Sequence, residues 1–130
     1  MIFHSFVAEA NPPAEARAVA ARACLDTIGV TYAGATEPAA RAVQRVVEAD
    51  GSGPCAVIGT SLRVSAGNAA LANGTAAHAL DYDDMCFVSL AHPSAPLVAA
   101  ALAATADLLG EPEDEEPASA PQVGMTPADT

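Results

Sequence analysis

Between Asn11 and Gly34 the apolar residues Val19, Ala23 and Ile28 return near helical spacing. Ala16 and Ala20 widen that stripe, and Arg17 and Arg22 fall elsewhere. Asn11 is a capping residue type, and Pro12 and Pro13 suit a first turn whose N–H groups have no partner. Gly34 is the predicted stop. A second helix is predicted from Pro38 to about Ala49, with Ala39, Ala42, Val43, Val46 and Val47 inward and Arg41, Arg45 and Glu48 in water. The run ADGSGP ends it. CAVIGT, from Cys55 to Thr60, reads as an isolated strand or a buried extended segment. Ser65 is the predicted cap of a third helix, AGNAALANGTAAHAL. Gly67 and Gly74 weaken that helix by ~1 kcal/mol each relative to alanine, but its small residues would let another backbone approach closely. The last helix is predicted from a cap at Ser94 to a stop at Gly110, with Leu97, Ala101, Ala104 and Leu108 on one side. The pattern is all-α, with at most one short strand or extended segment.

Composition thins the expected core. Of the 130 residues 52% are hydrophobic, yet only 4% are aromatic and much of the remainder is alanine. Alanine buries little area, so stability must come from close helix contact, within this chain or with further helices. The formal charge of −11, with five arginines and no lysine, would repel phosphate backbones and argues against nucleic acid as a partner. Seven of the sixteen acids follow Ala106 without a single base, so the excess belongs to a Pro-rich tail expected to be disordered. Cys24, Cys55 and Cys86 are dispersed and odd in number, as reduced thiols of an intracellular protein would be. No signal peptide and no ~20-residue apolar span is seen, so the expected compartment is the cytoplasm and no membrane partner is expected. Asn73-Gly74-Thr75 fits a glycosylation sequon, which such a protein would not use.

One stretch breaks the apolar monotony. HALDYDDMCFVSLAHPS, His78 to Ser94, sets two imidazoles and three carboxylates between flanks that carry no charge. Read alone, Asp81, Asp83 and Asp84 are best explained as a solvated loop, with His78 on the last turn of a helix. The same residue types could bind a divalent cation, but the spacing matches no ligand template. Acid–base chemistry is the third reading: crowded carboxylates beside an imidazole can exchange protons. Stabilising an enediolate would also need cations, which this chain has few of. Cys86, between Met85 and Phe87, reads as a small packing residue.

The run SAGNAALANGTAAHALDYDDMCFVSLAHPSAPLVAAALAATA closely resembles the signature region of the MmgE/PrpD family. That family includes 2-methylcitrate dehydratases, cis-aconitate decarboxylases and iminodisuccinate epimerases. ACLDTIGVTYAGATEPAARAV resembles its N-terminal helix pair, and the likeness spans about residues 12–106. It implies a piece of a large all-helical domain, a smaller α/β lid domain that is absent here, and homodimers. It also implies chemistry on di- or tricarboxylates that needs neither cofactor nor metal. The first aspartate of the motif, Asp81, and the histidine of H-P-S, His92, are the implied catalytic residues. Asp84, Ser94 and His78 are the implied substrate-binding ones. Met85 stands where some relatives have a threonine, which leaves the substrate open.

The resemblance therefore implies a flexible N-terminus over 1–11, a partial N-terminal helical domain over 12–109 and a tail over 110–130. Relatives are several times longer and draw a further histidine, lysines and a tyrosine from later segments. The expected protein is a truncated N-terminal part of a hydro-lyase, inactive alone. The alternative is a non-catalytic helical fragment, or a subunit that pairs with a separate C-terminal chain.

Overall fold

The computed structural model describes residues 9–110; the expectations for residues 1–8 and for the tail beyond Gly110 lie outside them. Four helices and one small hairpin make up the described part: α1 (Ala14–Gly34), α2 (Pro38–Asp50), β1 (Cys55–Ala56), β2 (Arg63–Val64), α3 (Ala66–His78) and α4 (Ser94–Leu109). The mainly helical reading holds. The extended segment at Cys55 pairs antiparallel with β2, Cys55 opposite Val64 and Ala56 opposite Arg63.

Helix α3 is the hub. It packs most extensively on α4 and next on α1 and α2, while the hairpin closes one end. Small side chains make this possible: α3 buries Ala69, Ala72, Asn73, Ala76 and Ala77. Nine of the fourteen buried apolar residues are alanine, so the core gains little area per residue and depends on near-contact of backbones. A cluster of Val47, Cys55, Val57, Val64, Ala69, Ala72 and Ala103 fills the space among α2, the hairpin, α3 and α4.

The expected inward faces are largely overturned. On α1 the buried residues are Thr27, Thr31 and Gly34, whereas Val19 is 52% exposed. Each threonine hydroxyl donates one turn back, to the carbonyls of Ala23 and Thr27, so both can be buried without an unpaired polar atom. On α4 the core takes Ala95, Val98, Ala99 and Ala103, and the expected Leu97 and Leu108 lie in solvent. On α2 Ala40 and Val47 are buried while Ala39, Ala42 and Val46 are exposed. Close packing selects the smallest side chains for the interface, and the leucines are left outside.

Two caps also differ from expectation. Asn11 does not cap α1; its side chain accepts from the Arg17 guanidinium. Ser65 stands at the N-cap of α3 but makes no side-chain cap bond. Asn73 is 4% exposed and bridges helix to hairpin: its Oδ1 accepts from Ile58 N–H at 2.9 Å and its Nδ2 donates to the Ala56 carbonyl at 3.0 Å. The sequon asparagine is thus buried against the hairpin, with its amide nitrogen engaged. Cys86, expected to pack, is exposed.

Gly34 marks a close approach of α1 to α3, because a Cβ there would overlap the Ala76 carbonyl. Gly34→Ala should therefore lower the free energy of unfolding by about 1–3 kcal/mol. Gly29, with open space around it on the same helix, provides the contrast. Gly29→Ala should raise stability by up to about 1 kcal/mol, and urea titration of both variants measures the difference.

Candidate active site

The site is built where α3 ends. The helix stops at His78, and the chain turns through Asp81 with a φ of 55°, a left-handed conformation that aspartate tolerates better than most residues. That turn sends Asp83 back under the helix end. Asp83 is buried, its side chain 1% exposed, and its carboxylate oxygens lie 3.0 and 3.1 Å from His78 Nδ1. Farther on, the chain doubles back. A bridge between Cys86 and Ala91, with Cys86 N–H donating to the Ala91 carbonyl at 2.8 Å, returns the backbone to the same place. His92 follows directly. Its Nδ1 stands 3.4 Å from Asp83 Oδ2, and its Nε2 stands 3.8 Å from Asp81 Oδ1.

Residues 78, 81, 83 and 92 thus converge across the whole connector. The two imidazoles meet edge to face, with ring centroids 4.6 Å apart and planes at 62°. His92 Nδ1 is buried yet has no hydrogen-bond partner; Asp83 Oδ2, at 3.4 Å, lies beyond the usual length of an N–H···O bond. Each of His78, Asp81, Asp83 and His92 could lend one ligand atom to a divalent cation, because such atoms all lie within 4.8 Å of one another.

Both histidines line an open, mainly apolar cleft of about 880 Å³, with Ala70, Leu71, Gly74, Thr75, Ala95 and Pro96 among its walls. None of the five arginines and none of the three aspartates lines it. Three of those arginines are engaged elsewhere on backbone carbonyls: Arg17 on Pro12, Arg41 on Thr36 and Arg63 on Pro54.

Asp84 and Ser94 pair with each other instead. Asp84 Oδ1 accepts from the Ser94 N–H at 3.0 Å and Oδ2 accepts from the Ser94 hydroxyl at 2.7 Å. Ser94 is the first residue of α4, so the expected serine cap is replaced by a carboxylate from ten residues upstream. Asp81, by contrast, is 79% exposed at the rim, beside His92. Exposed Phe87, Val88 and Leu90 form the tip of the loop beyond the bridge. The Cys86 thiol there is held below its ordinary range by hydrogen bonds to the Ser89 hydroxyl and to the Ser89 and Val88 backbone.

Sequence reasoning named His78, Asp81 and His92, which the structure brings together. It missed Asp83, which lies at their centre. Asp81 and Asp83 sit two apart in an irregular loop, and only the left-handed turn decides which of them is buried. The family model of MmgE/PrpD N-terminal domains matches residues 3–116. No curated protein and no solved structure matches the chain.

Asp84→Ala should lower unfolding free energy by about 1 kcal/mol through loss of the α4 cap, whereas Asp84→Asn should keep most of it. Thermal unfolding followed by circular dichroism distinguishes the two.

Proposed function

The chain belongs to the MmgE/PrpD family through its N-terminal domain, and from that premise we propose that it supplies the acid–base part of a lyase acting on a small tricarboxylate such as 2-methylcitrate. The observation that carries the reading is the meeting of His78, Asp81, Asp83 and His92 at one end of an apolar cleft. The reaction is removal of a proton from a carbon next to a carboxylate, with loss of a β-hydroxyl as water; decarboxylation of cis-aconitate is the related alternative. His92 is the proton-transfer group, and Asp81 at the rim orients it or hydrogen-bonds the substrate.

No arginine lines the cleft, and the sequence has no lysine. A substrate with three carboxylates beside Asp81 and Asp83 meets repulsion that no arginine in the lining offsets. Lysines or arginines from outside the described residues, in later segments or in a separate C-terminal chain, complete the site in this reading. The other reading, a non-catalytic helical subunit, draws on the exposed apolar residues Leu71, Leu97, Leu102 and Leu108. No helix among the described residues is long and apolar enough to cross a membrane.

The purified chain should show no dehydration of 2-methylcitrate and no decarboxylation of cis-aconitate. Turnover by the chain alone that disappears in Asp81→Ala or His92→Ala would overturn the need for outside cations. Supplied in trans with the later segments of a family member, the chain should give turnover that His92→Ala lowers by roughly 10²–10⁴-fold. Unchanged turnover in that variant would remove His92 from the chemistry. Gel filtration with light scattering should show association; a well-folded monomer that ignores the added segments would count against both readings.

A further inference from the structure

We infer that His78 is a second proton-transfer residue of this site, turned to the cleft by the buried carboxylate of Asp83; the inference rests on the lyase reading above and extends it. Asp83 places both oxygens at hydrogen-bond distance from one ring nitrogen, His78 Nδ1. A carboxylate only accepts, so Nδ1 carries the hydrogen. In neutral imidazole the lone pair then belongs to Nε2. His78 lines the cleft and its side chain is 54% exposed, and Nε2 has no hydrogen-bond partner among the described residues. The ring is thus held by one nitrogen and offers the other as a base.

Loss of a β-hydroxyl needs two proton movements. One group takes the proton from the carbon beside a carboxylate, and the C–H electron pair becomes the new C=C bond. The hydroxyl leaves with its own C–O electron pair and a second proton, as water. A lone imidazole would have to accept the first proton and then deliver it. Here two imidazoles stand 4.6 Å apart on the same cleft. His78 Nε2 takes the proton from carbon and becomes imidazolium; His92, entering in its protonated form between Asp81 and Asp83, delivers its proton to the leaving oxygen and ends neutral. Solvent then restores both rings. Asp83, 1% exposed, has no access to substrate; it is a positioning residue for His78.

The orientation can be read without turnover. In the full chain labelled with ¹⁵N-histidine, long-range proton–nitrogen correlation at neutral to mildly alkaline pH reports which nitrogen of His78 is protonated. The expected result is a protonated Nδ1 and an unprotonated Nε2. In Asp83→Asn the side-chain amide can donate, so the preference should be lost or inverted, while Asp83→Glu should restore part of it. Ethoxyformylation of His78 by diethyl pyrocarbonate should slow several-fold in Asp83→Asn. An Nε2–H form in the wild-type chain, or an unchanged tautomer in folded Asp83→Asn, would overturn the inference. Should Asp83→Asn not fold, the wild-type spectrum alone decides. Selective broadening of both histidines by added Mn²⁺ would give their nitrogens to a cation and also overturn it. Failure of the lyase reading would show separately, as an absence of turnover in the completed assembly with the His78 tautomer as expected.

Discussion

Everything in this molecule depends on how closely its backbones approach α3. The helix presents alanine and one asparagine to its neighbours, and Gly34 of α1 lies where any side chain would strike the Ala76 carbonyl. Dispersion between atoms at contact distance falls off steeply, so a core of methyl groups is cohesive only when the helices are this near. The hairpin is tied to the same helix by the Asn73 amide, which satisfies one donor and one acceptor of the turn side. Because α3 ends at His78, fixing the helix on three sides also fixes the first residue of the site.

From there the buried carboxylate of Asp83 governs the connector. A carboxylate out of water is costly unless it is hydrogen-bonded, and Asp83 has His78 for that and His92 nearby. No arginine stands in contact with it, so the two imidazoles are its immediate polar surroundings among the described residues. The left-handed turn at Asp81, the Cys86–Ala91 bridge and the Asp84 cap on α4 each fix one part of the loop. Together they bring back the histidine fourteen residues along. A loop of this length would otherwise be a poor place for a histidine pair at contact distance.

The existence of the four helices was legible in the sequence, because periodic alanine runs, proline starts and glycine stops are local signals. Their faces were not. Counting large apolar residues points Leu97 and Leu108 inward, but the α3–α4 interface accepts only Ala95, Val98, Ala99 and Ala103. In the same way Val19 loses to Thr27 and Thr31, whose hydroxyls are neutralised by their own helix. The site was legible in a different manner. Loop chemistry alone favoured solvated aspartates; the longer motif around them marked Asp81 and His92. Neither route could single out Asp83, whose burial follows from a backbone angle at Asp81 that the residue types permit but do not require.

The two features that look like deficits have one physical explanation in the proposed reading. The cleft carries two imidazoles, with carboxylates behind them and no arginine, and its walls include Leu71 and Pro96, with exposed Leu97 next along α4. A polypeptide packed over that rim would bury the leucines at ~25 cal/mol per Å² of apolar surface. The same layer would lower the local dielectric constant and bring whatever cations it carries next to the substrate carboxylates, where exclusion of water strengthens their attraction. Cover and charge are therefore one requirement. An acid–base pair prepared by Asp83 has use only when the layer above it holds the carboxylates in place, which is why His78 is built into the end of α3 and His92 is returned to it by the connector, while the cations need not be.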